Sequence, residues 1–292
     1  MKETMKAGNN TEADEWDVLI KPHGKLAHVD LKSVWRYRDL VMVFVLRDFV
    51  TLYKQTILGP LWYLIQPTVT AATYYVVFGK IANLSTNGIP PFLFYMSGIV
   101  LWTYFSSCLT GNSEVFSKNA NLFSKVYFPR LVVPISVAIS GLVAFCVQFT
   151  LLLAVTISFI VLGDGVVLPG WSLFALPLLV LYVAALGVGV GLIVSALTVR
   201  FRDLVFATGF AVQLWMYASP VIYSLQQIPP HYRYIFYFNP MSAPLENMRH
   251  VMFGAPSVPL DLWVSNGLVV LALICTGLVL FTRSESSAMD TV

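Results

Sequence analysis

Charge is what this sequence has least of. Of its 292 residues 57% are hydrophobic and only 11% are charged, with a mean hydropathy of +0.73. A soluble domain carries roughly 25% charged residues. The deficit excludes an ordinary water-soluble globule and places the chain among polytopic membrane proteins. Cysteine is scarce: Cys108, Cys146 and Cys275 each sit inside an apolar run, with neither metal-ligand nor disulfide-framework spacing. They read as buried structural thiols. The apolar runs also lack His, Asp and Glu. No intramembrane metal site or carboxylate pair can be built from them, and a proton-coupled carrier would want buried ionisable relays. A GxxxxGK[ST] phosphate loop is missing too. Gly24-Lys25 and Gly79-Lys80 lack the rest of that motif, so ATP-driven work would need another polypeptide. The first thirty residues are polar, without the apolar core of a cleavable signal.

Long hydrophobic runs are abundant. Stretches free of Asp, Glu, Lys, Arg and His cover residues 55–79, 81–113, 131–163, 165–199, 204–230 and 262–282. Each is long enough for a bilayer core, which needs ~20 helical residues. Backbone in lipid must satisfy its own hydrogen bonds, so helices are expected. A β-barrel would show alternation over ~10-residue strands, and these runs do not alternate. The fold class expected is an all-α polytopic membrane protein with six transmembrane helices, at about 58–79, 92–112, 133–162, 172–199, 204–223 and 262–282. With the N-terminus inside, fifteen Lys and Arg fall on cytoplasmic segments and three (Lys80, Arg233, Arg249) outside. The positive-inside rule then gives N-in, C-in.

Between and before these spans, residues 1–29 read as a mobile cytoplasmic tail, Asp30 as an N-cap, and 284–292 as a short second tail. Residues 31–54 read as a helix with Arg36, Arg47 and Lys54 on one face, suited to the membrane interface. A soluble amphipathic helix lying on the cytoplasmic loops is the competing reading. The chain breaks at Leu58-Gly59-Pro60. The long outer segment 223–261 is too apolar for a solvated loop. It is expected to form one or two short re-entrant helices broken at Pro229-Pro230 and Asn239-Pro240. Gly187, Gly189 and Gly191 lie in LGVGVGLIV, an apolar helix, and fit a close helix–helix contact.

Two clusters admit more than one reading. Trp62, Tyr63, Tyr74 and Tyr75 on the first span, and Trp102, Tyr104 and Phe105 on the second, are partly explained by interfacial aromatic belts. Trp102 and Tyr104 fall nearer mid-span, where an aromatic channel for a sugar chain explains them better. The basic groups Arg47, Lys54, Lys118, Lys125 and Arg130 fit the positive-inside pattern and anionic headgroups, or a docking site for a phosphate-bearing lipid head.

The stretches RDFVTLYKQTILGPLWYLIQP, VVFGKIA and SKNANLFSKVYFPRLVVP resemble the transmembrane subunit of bacterial ABC-2-type polysaccharide exporters, which move O-antigen, capsule or teichoic acid chains. The resemblance runs from residue 30 to the C-terminus, so residues 30–283 form the transmembrane domain it implies, and the tail 1–29 falls outside it. It implies a homodimer of permease subunits, no enzymatic activity in this chain, and two copies of a separate ATPase subunit carrying ATP and Mg, with no cofactor or metal in this chain. The substrate would be a polyprenyl-pyrophosphate-linked polysaccharide crossing the inner membrane. Trp62 to Tyr75 would begin its path. Arg47, Lys54, Gln55, Leu58 and Gly59 would meet the lipid pyrophosphate at the cytoplasmic mouth. The loop 119–130, with Asn119, Asn121, Phe123, Lys125, Tyr127, Phe128 and Arg130, would couple to the ATPase. A drug or lipid exporter of the same architecture and a non-transporting membrane scaffold are the rival readings.

Overall fold

The computed structural model describes residues 31–54, 58–123, 125–126, 128–163, 170–201 and 203–290. The expected tail 1–29, the Asp30 cap, Gln55 and Tyr127 lie outside the described residues. Helix is the only regular secondary structure among those that are described.

The bundle is assembled around α4 (Pro91–Ser113). Pro91 starts it, at a position where a missing N–H costs nothing. Its side chains are apolar on every side, and a helix of that kind must be surrounded. It is: Leu93, Phe94, Val100, Leu101, Phe105 and Cys108 are fully or almost fully buried. Two long helices close on it, α6 (Val132–Leu162) and α7 (Leu176–Thr198), with α10 (Leu260–Asp290) behind α7. Lipid-like surroundings supply no hydrophobic drive between helices, so close approach of small residues matters. The LGVGVGLIV run provides it on two faces. A Cβ on Gly187 would lie 2.6 Å from Cys108 Cβ, and one on Gly191 would lie 2.5 Å from Asn112 Cβ, both on α4. Gly189 faces the other way, against Ile274 of α10, and a Cβ on Gly277 would meet Gly189 O at 2.5 Å.

Four helical segments are long and apolar enough to cross a membrane: Pro91–Ser113, Val132–Leu162, Trp171–Thr198 and Leu260–Ser284. The other two expected crossings are shorter and interrupted. The first begins with a 3-10 turn, Gly59–Leu61, where Gly59 takes φ +48. It continues as α3 (Trp62–Tyr74) and finishes as a π-helix, Tyr75–Ile81. The fifth is α8 (Leu204–Ala218). It stops because Ser219 precedes Pro220, which disfavours the helical region; Ser219 is extended, at φ −105 and ψ 153. The last helix runs beyond the expected 262–282, to Asp290.

The expected single helix over 31–54 is two pieces, α1 (Leu31–Arg36) and α2 (Arg38–Tyr53), joined by a turn at Tyr37. Val34, Val41, Phe44 and Val45 form its buried side. Met42, Val43, Leu46 and Val50 are exposed on the other. The helix is therefore apolar both toward the protein and away from it. Arg38, Asp39 and Arg47 are exposed beside these aliphatic side chains.

Candidate functional site

The channel candidates divide into two groups. On α3 and the π-helix that continues it, Trp62 is 52% exposed, and Tyr63, Tyr74 and Tyr75 are half-buried. Val69 on α3 and Val76 and Val77 on the π-helix are exposed as well. Across from α3, α8 turns Phe206, Phe210, Leu214 and Tyr217 outward. Tyr74 Oη lies 3.8 Å from Met216 Sδ and ties the two elements. Each of the two elements thus carries exposed apolar and aromatic side chains.

On α4 the candidates are interior. Phe105 has no exposure, and Trp102 and Tyr104 are nearly as enclosed. Trp102 and Phe105 lie 5.0 Å apart by ring centroid, Phe105 meets Trp215 edge-on at 5.0 Å, and Trp102 meets it at 6.4 Å. Tyr104 packs on Phe145 at 5.3 Å, with its hydroxyl 3.4 Å from Ala138 O. Within one subunit Trp102 and Phe105 build the core that supports α8, and Tyr104 packs against α6. The structure does not bring them together with the α3 rings on one surface.

The lipid-pyrophosphate candidates lie at the basic end of the bundle. Arg47 and Lys54 are exposed. Arg47 donates to Asp48 at 2.8 Å and stacks its guanidinium 4.8 Å from the Phe44 ring. Asp48 in turn accepts from Ser140 of α6 at 3.5 Å. Leu58 is exposed, and Gly59 bends the chain between α2 and α3.

The coupling candidates face two ways. Asn119, Asn121 and Phe123 lie on α5 (Val115–Phe123), which begins where α4 ends, and Lys125, Phe128 and Arg130 follow it. Asn121 and Lys125 are exposed. Asn119 is half-buried and donates to Val115 O at 3.0 Å, spending its amide on its own helix. Phe123, Phe128 and Arg130 point inward. Phe123 packs on Phe128 at 5.7 Å, and Phe128 packs on Phe44 of α2 at 5.8 Å. The buried Arg130 guanidinium sits 5.2 Å from the Phe123 ring. Phe116 stacks on Phe281 of α10 at 4.7 Å. A push on the exposed side of this loop would reach α2 and α10 through packed rings.

The segment 223–261 holds groups that sequence reasoning passed over. After α8 it forms 3-10 helices at Leu225–Gln227 and Pro230–Tyr237, then α9 (Ser242–Phe253), with both expected proline breaks in place. Asn239 accepts from Trp215 Nε1 at 3.0 Å and donates to Ala218 O and Ser219 Oγ. Asn266 of α10 donates to Phe236 O and Tyr237 O and accepts from Ala243 N. At the centre is Arg249, 1% exposed. It donates to Glu246 at 3.1 Å, to Val221 O at 2.8 Å and to Tyr223 O at 3.4 Å, and lies 3.6 Å from the Phe94 ring of α4. Glu246 also accepts from Leu225 N at 3.0 Å. Burial lowers the Arg249 guanidinium to about 10, with Glu246 opposing the shift, so it stays a cation at neutral pH. The three-residue spacing of Glu246 and Arg249 was the available signal. Among the described residues no cluster of three or more His, Cys, Asp or Glu could hold a metal.

A long-helix bundle with a surface helix, an aromatic loop at one end and a short-helix cap at the other defines a transporter membrane domain, and comparison with known proteins agrees. Residues 39–253 match the ABC-2 type transporter family, and the chain belongs to it. It is a multi-pass membrane permease of a kind that works with a separate ATPase subunit. The chain is 29% identical over 198 residues to the O-antigen export system permease protein RfbA of Myxococcus xanthus, covering 68% of this chain and 73% of that one. Two proteins of the same name from Klebsiella pneumoniae are 28% and 29% identical, each over 74% of this chain and 81% of their own length.

Proposed function

We propose that this chain is the membrane-spanning subunit of an ATP-driven exporter that carries a polyprenyl-pyrophosphate-linked polysaccharide, of the O-antigen type, across the bacterial inner membrane. The observation that carries this reading is the similarity, over 68–74% of the chain, to permeases named for O-antigen export. Its architecture fits. The exposed apolar side chains of α3 and α8 suit a second copy of the chain, and a path between two copies would be bordered by Trp62, Tyr63, Tyr74 and Tyr75. Ring faces stack on the C–H surfaces of pyranoses without a fixed charge, so a long neutral polymer can slide. With six crossings and an N-in, C-in orientation, Arg47 and Lys54 would lie beside the cytoplasmic leaflet, where a pyrophosphate head would arrive. Asn121 and Lys125 would meet the ATPase, while Phe123, Phe128 and Arg130 hold the loop to α2. ATP and Mg belong to that partner.

Deletion and complementation test the reading. Loss of the chain should leave the lipid-linked polymer inside and none at the surface, and co-purification should recover a nucleotide-binding subunit. Surface polymer unchanged by deletion, or a chain that recovers no ATPase, would remove the proposal. A drug or lipid exporter would instead change surface lipid or drug tolerance with polymer export intact.

A further inference from the structure

Between α4, α7 and α8 the subunit holds a cavity of about 240 Å³ that is open on one side. Leu109, Leu197, Leu204, Ala207, Ala211 and Trp215 are among the residues that line it. Thr208 lies there too, but its hydroxyl is spent on Leu204 O at 2.6 Å, so the wall offers no free polar group from that side chain. From Leu204 to Trp215 the groove follows α8 for about 16 Å, at ~1.5 Å of rise per residue. That is long, narrow and apolar: room for one hydrocarbon chain, and none for a sugar or a headgroup.

One end of the groove lies at Leu197, near the end of α7, and Leu204, at the start of α8. There Arg200 N and Phe201 N both bond to Leu197 O, and Leu204 N bonds to Phe201 O. The Arg200 side chain is exposed at this end, 5.5 Å over the Phe201 ring. Asp203, also exposed, precedes α8, where a helix N-terminus favours a carboxylate. The same end of the bundle carries α5 and the end of α4, since Thr198 Oγ1 reaches Ser113 O at 3.3 Å. An apolar slot with a cation at its mouth, set in membrane-crossing helices, has the chemistry of one lipid class.

We propose that this groove holds an acyl chain of an anionic membrane phospholipid whose phosphate pairs with Arg200. The proposal takes its cytoplasmic orientation from the reading above, and anionic lipid is enriched in that leaflet. The groove face of α8 lies ~130° round the helix from the outward face of Phe206, Phe210 and Leu214, at 3.6 residues per turn. A second copy can therefore cover the outward face without displacing the lipid. The occupant is an unbranched chain: Ala207 and Ala211 line one wall and Leu109 and Leu197 the other, an all-hydrocarbon slot of about 240 Å³, whereas a polyprenyl tail is bulkier, with a methyl branch on every unit. A bound lipid would fix the spacing of α8 from α7.

The test uses the full chain in nanodiscs, with Trp215 as the reporter. Phosphatidylglycerol and phosphatidylcholine, each with dibrominated chains, are the probes, since bromine quenches tryptophan only near contact. The fluorescence lost on Trp215→Phe isolates the reporter. Quenching should favour phosphatidylglycerol about five-fold, the size expected for one basic residue at a membrane surface. Arg200→Gln should bring it to the phosphatidylcholine level, and Arg200→Lys should retain it. Ala211→Phe, which fills the slot, should abolish quenching; Ala207→Leu serves if that variant fails to fold. Equal quenching by the two lipids, quenching that survives both filling variants, or protection by polyprenyl phosphate stronger than by unbrominated phosphatidylglycerol would overturn the proposal. None of these readouts involves polymer export, so a failure here is separate from a failure of the export reading.

Discussion

Arg249→Met isolates the buried charge of the segment 223–261. The substitution keeps the aliphatic volume and removes the guanidinium. It deletes the ion pair to Glu246 at 3.1 Å, the bond to Val221 O at 2.8 Å and the contact with the Phe94 ring at 3.6 Å. Breaking a buried pair by removing one partner costs about 3–5 kcal/mol, because the other charge is left uncompensated. The cation–π contact is part of that figure and is not added to it, since neighbouring terms do not sum. At ~2–4 °C per kcal/mol for a domain of this size, melting should fall by roughly 6–20 °C. Glu246→Gln keeps an acceptor for Leu225 N but leaves the buried Arg249 cation without its counter-charge, so by the same argument it should also cost about 3–5 kcal/mol. The double variant Arg249→Met/Glu246→Leu removes both charges and should recover part of the loss. Thermal unfolding of the full chain in nanodiscs, followed by tryptophan fluorescence, measures all three. If Arg249→Met melts within about 2 °C of the wild type, or if the double variant is no more stable than Arg249→Met, the buried-pair argument is wrong.

The remaining predictions separate packing from transport. Gly191→Leu puts a side chain where a Cβ alone would lie 2.5 Å from Asn112; it should cost more than the ~1–3 kcal/mol of ordinary overpacking, read as loss of monodisperse protein on size exclusion. Phe105→Ala should cost about 3–5 kcal/mol of stability as a core truncation, whereas Trp62→Ala should leave melting unchanged and slow export, measured by surface polysaccharide. Reversing charge at Arg47 and Lys54 should lower export with assembly intact; unchanged surface polymer would remove the pyrophosphate-docking role. Lys125→Glu should weaken polymer-stimulated ATPase activity of the co-purified complex without lowering the melting temperature, while Phe123→Asp should lower both because Phe123 packs on Phe128.

The sequence by itself determined the class of this protein. A bilayer core tolerates helix and little charge, so composition and run length were enough for an all-α membrane domain. Backbone chemistry was equally local. Gly59 and the proline pairs break the chain where they stand, and Gly187 and Gly191 mark a close contact because a missing Cβ is visible in sequence. Only the tertiary structure decided which partners those features meet. Gly189 turned toward α10 while its neighbours turned toward α4. The aromatic candidates of α3 and α4 look alike as sequence, but α4 lies at the centre of the bundle, so Phe105 is enclosed and Trp62 is not. Arg249 entered the sequence reading only as one of three basic residues outside, because the groups that bury it, Phe94, Val221 and Tyr223, come from other elements of the fold. Helix-forming and membrane-crossing tendencies are short-range properties. Burial of a given side chain is set by what folds over it.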